Sequence, residues 1–217
     1  MRLEAIIFDC DGTLVESERI GLEVIAEVAA EHGALLDVDT ALDGLRGLKM
    51  AECVARIEAQ CGVKLPSDFV PEIRRRTADE FRRRLQPVDG ARELLASLRV
   101  PFCVASSGPR EKIELSLSIT GLLPLIGNRI FSAYEVGSWK PHPGLFLHAA
   151  AAMGVDPVSC GVVEDSTPGI EAGVAAGMHV FAFGDLEHGS PRGSRVQHVR
   201  THHELKVLLG PVLAGAV

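Results

Sequence analysis

Four polar clusters stand where short apolar runs of the chain end. The first is Asp9-Cys10-Asp11-Gly12-Thr13, directly after Ala5-Ile6-Ile7-Phe8. Two carboxylates at i and i+2 beyond a buried strand are costly unless a cation neutralises them. All-oxygen ligation suits magnesium. A polar turn with Gly12 for flexibility is the ordinary alternative. The second cluster, Glu164-Asp165-Ser166, follows Gly161-Val162-Val163 and adds the further carboxylates that such a site wants. Asp165 is the first choice as ligand, and Glu164 ligates directly or holds a bound water. Taken alone, Asp165 or Ser166 reads as a helix N-cap. The third is Ser106-Ser107-Gly108, after Phe102-Cys103-Val104-Ala105. The Ser106 hydroxyl and the adjacent turn amides can donate to phosphoryl oxygens. The fourth, Trp139-Lys140-Pro141-His142-Pro143, carries a lysine on a backbone stiffened by proline. In isolation these last two are a serine-capped turn and a solvated loop lysine. Together the four clusters supply carboxylates for a cation, hydroxyls for an oxyanion and a fixed positive charge, which is the equipment of phosphoryl chemistry.

The elements that must position these clusters are legible. The runs at 5–8, 102–105, 161–163 and 179–182 are short and continuously apolar, as strands buried on both faces of a parallel sheet are. Helical spacing over 112–120, 144–153 and 168–176 separates them, and the Leu205–Leu209 region ends the chain as a helix. Strands alternating with helices predict an α/β fold with a doubly wound, Rossmann-like parallel sheet. In such sheets ligands bind beyond the carboxyl ends of the strands, where all four clusters fall. Residues 16–86 break this rhythm. Ile20, Val24 and Val28 share one helix face; Val54, Ile57 and Cys61 mark a second helix; Phe69, Ile73, Phe81 and Leu85 fit a third with an arginine-rich outer face. The expected organisation is a core of residues 1–15 and 87–217 with a small helical-bundle cap, 16–86, inserted after the first strand.

The composition narrows the partners. The chain has 217 residues, 47% of them apolar, enough for a sizeable core without staples. Its net charge of -7 argues against nucleic acid, whose phosphate backbone calls for basic patches. The five widely spaced cysteines form no C-x-x-C pair and read as reduced thiols. No apolar run approaches the length of a membrane span, and no basic leader precedes a signal-type stretch. These features predict a cytoplasmic protein and leave room for a small phosphorylated metabolite, which needs only a few local cations; a monomer or weak homodimer is expected.

In this order, the four clusters resemble the haloacid dehalogenase-like hydrolases: D-x-D-G-T, a serine after the second core strand, a lysine before proline, and an acidic pair. The insert matches the helical cap of the phosphoglycolate phosphatase and β-phosphoglucomutase branch. The stretch from Pro101 to Val155 is similar to the bacterial 6-phosphogluconate phosphatases, notably at Ser106-Ser107-Gly108-Pro109 and Trp139-Lys140-Pro141. The resemblance implies Asp9 as a nucleophile that forms an aspartyl-phosphate, and Asp11 as general acid and then base. It implies Mg2+ held by Asp9, Asp165, Glu164 and the Asp11 backbone carbonyl. At roughly 3.5 Å and an effective dielectric near 20, a carboxylate and a phosphate dianion repel by about 9 kcal/mol, which magnesium and Lys140 would offset. Asp11 must then hold a proton near neutral pH, raised by neighbouring negative charge and oriented by Thr13. Ser106 and Ser107 would bind the phosphoryl group, and Arg46 and Lys49 of the cap are candidates for an anionic leaving group. Arg110 and Lys112 divide evenly between phosphate binding and helix-surface charge, and the Arg74–Arg76 and Arg82–Arg84 clusters read as a solvated helix face.

Three other activities are weighed against hydrolysis. A β-phosphoglucomutase shares the core, but the histidine that branch carries in the first cap helix is missing from Glu16–Leu22, and Ser107-Gly108-Pro109 replaces its serine-lysine pair. A 2-haloacid dehalogenase usually lacks the second motif aspartate, present here as Asp11. A non-catalytic binding module on the same scaffold would typically have lost one of the carboxylates.

Overall fold

The computed structural model describes residues 3–38, 44–45, 48–184 and 193–210. Among them, six strands form one parallel sheet: β1 Ala5–Phe8, β2 Phe102–Ser106, β3 Ile130–Ser132, β4 Cys160–Glu164, β5 His179–Phe183 and β6 Val196–Val199. The helices are α1 Glu18–Glu31, α2 Met50–Cys61, α3 Phe69–Arg84, α4 Ala91–Ser97, α5 Arg110–Ile119, α6 Leu123–Ile126, α7 Ala133–Val136, α8 Gly144–Met153, α9 Thr167–Ala175 and α10 His202–Leu208. No helix among the described residues is long and apolar enough to cross a membrane.

The sheet order is β3-β2-β1-β4-β5-β6, so the winding reverses between β1 and β4. A crevice opens at such a reversal, outside the carboxyl ends of the two strands. The α/β doubly wound expectation is therefore met, and the reversal fixes where Asp9 and the Glu164-Asp165 pair must meet. Strand β1 is buried on both faces because its side chains alternate between two cores. Ile6 and Phe8 enter one apolar cluster; Ala5 and Ile7 enter the other.

Two short strands escape the sequence pattern. Strand β3 is three residues long, too few to show a period. Strand β6, Val-Gln-His-Val, lies at the sheet edge with its middle residues exposed, so no apolar run marks it.

The three longer helices between β1 and β2 have an apolar cluster of their own. Leu22, Val24, Ile25 and Val28 of α1 pack on Ile57 of α2 and on Phe69 and Ile73 of α3. Ile20, Phe81 and Leu85 instead join the cluster on the sheet. The chain leaves and re-enters the sheet region at one place. Val15 bridges Pro87, the Glu16 amide donates to the Gln86 carbonyl at 3.0 Å, and the Val88 amide donates to Leu14 at 2.9 Å.

Close packing at β4 gives a test of this core. A Cβ at Gly161 would lie 3.0 Å from Ile6 Cδ1, 3.1 Å from Phe181 Cε2 and 3.2 Å from Leu3 Cδ1. Gly161→Ala overpacks the sheet and is expected to cost about 1–3 kcal/mol. Urea unfolding should show a lower midpoint with an unchanged slope. An unshifted midpoint would mean that the sheet is looser here than described.

Candidate functional site

The three buried carboxylates at the reversal converge. Oxygens of Asp9, Glu164 and Asp165 lie within 4.8 Å of one another. Asp9 is the first residue beyond β1, and its amide donates to the Val163 carbonyl of β4 at 2.9 Å. Lys140 reaches in from the loop before α8. Its ammonium is bonded to Asp9 Oδ1 and lies 2.6 Å from Glu164 Oε1. Burial alone would lower this amine, but Asp9 and Glu164 outweigh it and hold Lys140 above the ordinary lysine range. Burial likewise pushes the Asp9 carboxyl well above its ordinary value; Lys140 opposes the shift and Glu164, Asp165 and Asp11 add to it.

Bare backbone makes room for this crowding. A Cβ on Gly12 would fall 2.0 Å from Asp165 Oδ2, and one on Gly169 would fall 1.9 Å from the Glu164 carboxyl carbon. Gly12 also has φ +76°, which side chains rarely adopt. Glu164 Oε2 accepts from the Ser166 amide at 2.6 Å and hydroxyl at 2.9 Å, while the Ser166 oxygen accepts from Gly169 and caps α9. Ser166 thus serves both as the cap and as a support for the acidic pair.

Asp11 points away from that cluster, towards α1 and α5. The Ser17 hydroxyl donates to its Oδ1 at 2.5 Å and Lys112 Nζ to its Oδ2 at 2.8 Å. This corrects the expectation of a raised Asp11. Burial pushes its carboxyl up, but the Lys112 charge and the Lys112 and Ser17 hydrogen bonds outweigh it and hold the group below the ordinary carboxylate range. Thr13 is corrected as well: its hydroxyl donates to Asp165 Oδ1 at 3.0 Å and not to Asp11.

A cavity of about 570 Å³ opens above these groups. Asp9, Asp11, Ser106, Ser107, Lys140, Glu164 and Asp165 lie on its sheet side, and residues of α1, α2 and α3 line the other. Ser106 is buried, and its oxygen accepts from the Gly108 amide at 3.1 Å. Lys49 lines the cavity with its amine 4.5 Å from the centre of the Trp139 ring. Arg46 lies outside the described residues. Arg74 also crosses the cleft, donating to the Tyr134 hydroxyl at 3.4 Å. Arg75, Arg76, Arg82, Arg83 and Arg84 are ion-paired to carboxylates of α1 and α3, as a solvated face would be.

The even division over Arg110 and Lys112 separates cleanly. Arg110 turns outward to Glu135 and Glu114, whereas Lys112 enters the cavity. The sequence gives no sign of Ser17, which sits at the α1 N-cap but sends its hydroxyl to Asp11. His202, with no ligand partner at diagnostic spacing in the sequence, is buried as a structural residue. Its Nε2 lies 2.7 Å from the Thr13 carbonyl, so Nε2 carries the proton; its ring stacks on Phe183, and its buried Nδ1 finds no partner among the described residues. Cys10, between the two aspartates, is buried with its thiol pushed well above the ordinary range, which leaves it inert as a nucleophile.

Chemically, four carboxylates face two ammonium groups here. The three that converge are all-oxygen donors at a separation one hard divalent cation can span, so the residues fit a magnesium ion.

Comparison with known proteins agrees with this chemistry. A family model for haloacid dehalogenase-like hydrolases matches residues 3–177. The chain is 36% identical to a 6-phosphogluconate phosphatase of Escherichia coli (strain K12) over 191 residues, 88% of this chain and 86% of the relative. It is 34% identical to a validoxylamine A 7'-phosphate phosphatase of Streptomyces hygroscopicus subsp. limoneus, over 79% of this chain and 81% of the relative. A crystal structure of a HAD family hydrolase from Deinococcus radiodurans R1, with bound phosphate and sodium, superimposes with a TM-score of 0.76. That protein shares 33% identity, and the match covers 97% of each chain.

The His202 contact makes the fold sensitive to acid. Burial holds the ring below its ordinary value near 6.5, against the pull of Thr13 and Asp89. As pH falls through that value the unfolded chain takes up a proton before the folded chain does, so stability drops. His202→Gln keeps an N–H donor without titrating. Urea unfolding at about pH 7.5 and about pH 5.5 should show a smaller acid loss for this variant than for wild type. Equal losses would show that His202 carries none of the dependence.

Proposed function

The chain belongs to the haloacid dehalogenase-like hydrolases, and from that premise we propose a magnesium-dependent phosphatase of small phosphorylated sugar acids or sugars that works through Asp9. The observation that carries the reading is the Lys140 ammonium set between Asp9 and Glu164, beside Asp165, on the floor of the cavity. An unneeded carboxylate cluster of this kind would be costly to bury.

In the proposed reaction an Asp9 oxygen attacks phosphorus and the bond from phosphorus to the leaving oxygen breaks. Asp11 gives its proton to the departing alkoxide. Water then attacks the aspartyl-phosphate at phosphorus, its proton passes to Asp11, and Asp9 is released as a carboxylate with inorganic phosphate. Lys140, Ser106 and Ser107 hold the equatorial oxygens, where charge accumulates. Asp9, Asp165, Glu164 and the Asp11 carbonyl hold magnesium, with Thr13 fixing Asp165 through its hydroxyl. When bound, the ion supplies positive charge against the repulsion between Asp9 and the phosphate dianion. For Asp11 to carry a proton it must give up its bond to Lys112.

Residues 16–86 act as a cap over a core of 1–15 and 87–217. The paired crossing at Val15 and Pro87 supports a hinge there, and the separate apolar cluster supports a unit that moves as one. Lys49 and Arg46 remain candidates to meet the leaving group. The protein is read as cytoplasmic, acting alone or as a weak homodimer, without nucleic-acid or membrane partners.

The test is phosphate release from a panel of small phosphoesters, with magnesium and with excess chelator. The panel includes 6-phosphogluconate, phosphoglycolate, sugar phosphates and β-glucose 1-phosphate. Release should require magnesium, and Asp9→Asn should lower it by more than about 10³-fold. Full activity in Asp9→Asn would remove Asp9 as the nucleophile. Isomerisation of β-glucose 1-phosphate without release would make the protein a mutase.

A further inference from the structure

The cation beside Asp11 comes from outside the four motif clusters. Lys112 projects from the first turn of α5 past Gly108, where an added Cβ would lie 3.7 Å from the lysine Cδ. Its ammonium stands 2.8 Å from Asp11 Oδ2 on the cavity floor and 5.9 Å from the centre of the Phe81 ring of α3 on the roof. It therefore occupies the level between floor and roof through which a leaving group must extend.

The other cations on the cavity are differently committed. Lys140 is bonded to both Asp9 and Glu164, with 3% of its side chain exposed. Lys49 lies over Trp139, Arg74 is bonded to Tyr134, and Arg82 is paired with Asp79. Lys112 keeps 35% of its side chain exposed, and an ammonium has three donors, one of which goes to Asp11. Its surroundings in the cavity include Phe81, Leu115 and Pro109. Apolar walls of this kind strengthen a charge-assisted bond formed against them.

We propose that Lys112 is a specificity-determining residue that binds a carboxylate on the leaving group and so selects phosphorylated acids over neutral phosphorylated alcohols. One ammonium matches the single charge of a carboxylate, and the incoming carboxylate takes the place that Asp11 holds beside Lys112. The assignment rests on the phosphatase reading above and deepens it: the family motifs account for the phosphoryl group, and Lys112 accounts for what the phosphoryl group is attached to.

The test compares kcat/KM for 6-phosphogluconate and glucitol 6-phosphate, which share the chain and the phosphate and differ by a carboxylate against a hydroxymethyl group. Wild type should prefer the acid by about tenfold or more, the worth of one hydrogen bond to a charged group. Lys112→Met and Lys112→Gln should each bring that preference towards one, mainly through KM for the acid, and Lys112→Arg should retain most of it. The ratio is taken within each variant, so a general loss through Asp11 or through folding leaves it unmoved. Equal losses on both substrates, or a preference that survives in Lys112→Met, would overturn the proposal. Turnover of p-nitrophenyl phosphate separates the two levels. If it is hydrolysed and the acid is not preferred, the Lys112 assignment falls alone; if no phosphoester is hydrolysed, the phosphatase reading falls and takes the assignment with it.

Discussion

The rest of the structure depends on one constraint: carboxylates of Asp9, Glu164 and Asp165 are buried together against one ammonium, Lys140. Burying an ionised carboxylate without compensation is expensive. The surroundings answer it in detail. Thr13 and Ser166 donate to the acidic pair, and Gly12 and Gly169 leave room for carboxylates where a Cβ would stand. Among the described residues the converging carboxylates outnumber the ammonium they meet, and a divalent cation would balance the difference. The same cation would let a phosphate dianion approach Asp9.

The sheet topology is what makes the cluster possible. Asp9 and Glu164 are far apart in sequence, yet β1 and β4 are neighbours because the winding reverses between them. The two strand ends deliver their carboxylates side by side, and α9 begins at once behind the second pair. On the opposite side of the cavity α1, α2 and α3 face the floor. The cation–aromatic contacts of Lys49 with Trp139 and of Arg74 with Tyr134 span the cleft between the two sides, and such contacts are individually weak. Phe81 of α3 and Ile20 of α1 also pack into the sheet-side apolar cluster, and Ser17 is bonded to Asp11, so under the proposed function a cap would have to release these contacts to admit substrate.

Much of this was legible in the sequence because strand ends are marked by composition. The apolar runs before Asp9, Ser106 and Glu164 announce buried strands, and a polar group that follows such a run is placed at a carboxyl edge by topology alone. Direction of side chains was not legible. Lys112 and Arg110 lie two residues apart on one helix, and only the packed structure tells that one enters the cavity while the other turns to Glu135. Ser17 carries no signal in the sequence, because its bond to Asp11 depends on how α1 docks. The Asp11 environment escapes local sequence for the same reason: its charged partner is Lys112, 101 residues away, whereas the neighbouring residues show only another acid. Strands β3 and β6 lacked a signal because one is too short and the other too exposed.

The claim that all of this serves covalent chemistry at Asp9 is tested most directly by trapping the intermediate. Substrate and magnesium are mixed with the protein, quenched in acid within the first turnover, and the digested chain is mapped by mass spectrometry. One phosphoryl group is expected on the peptide that carries Asp9, absent when a chelator replaces magnesium. Phosphate release with no phosphorylated peptide, or with the phosphoryl group on another residue, would contradict it.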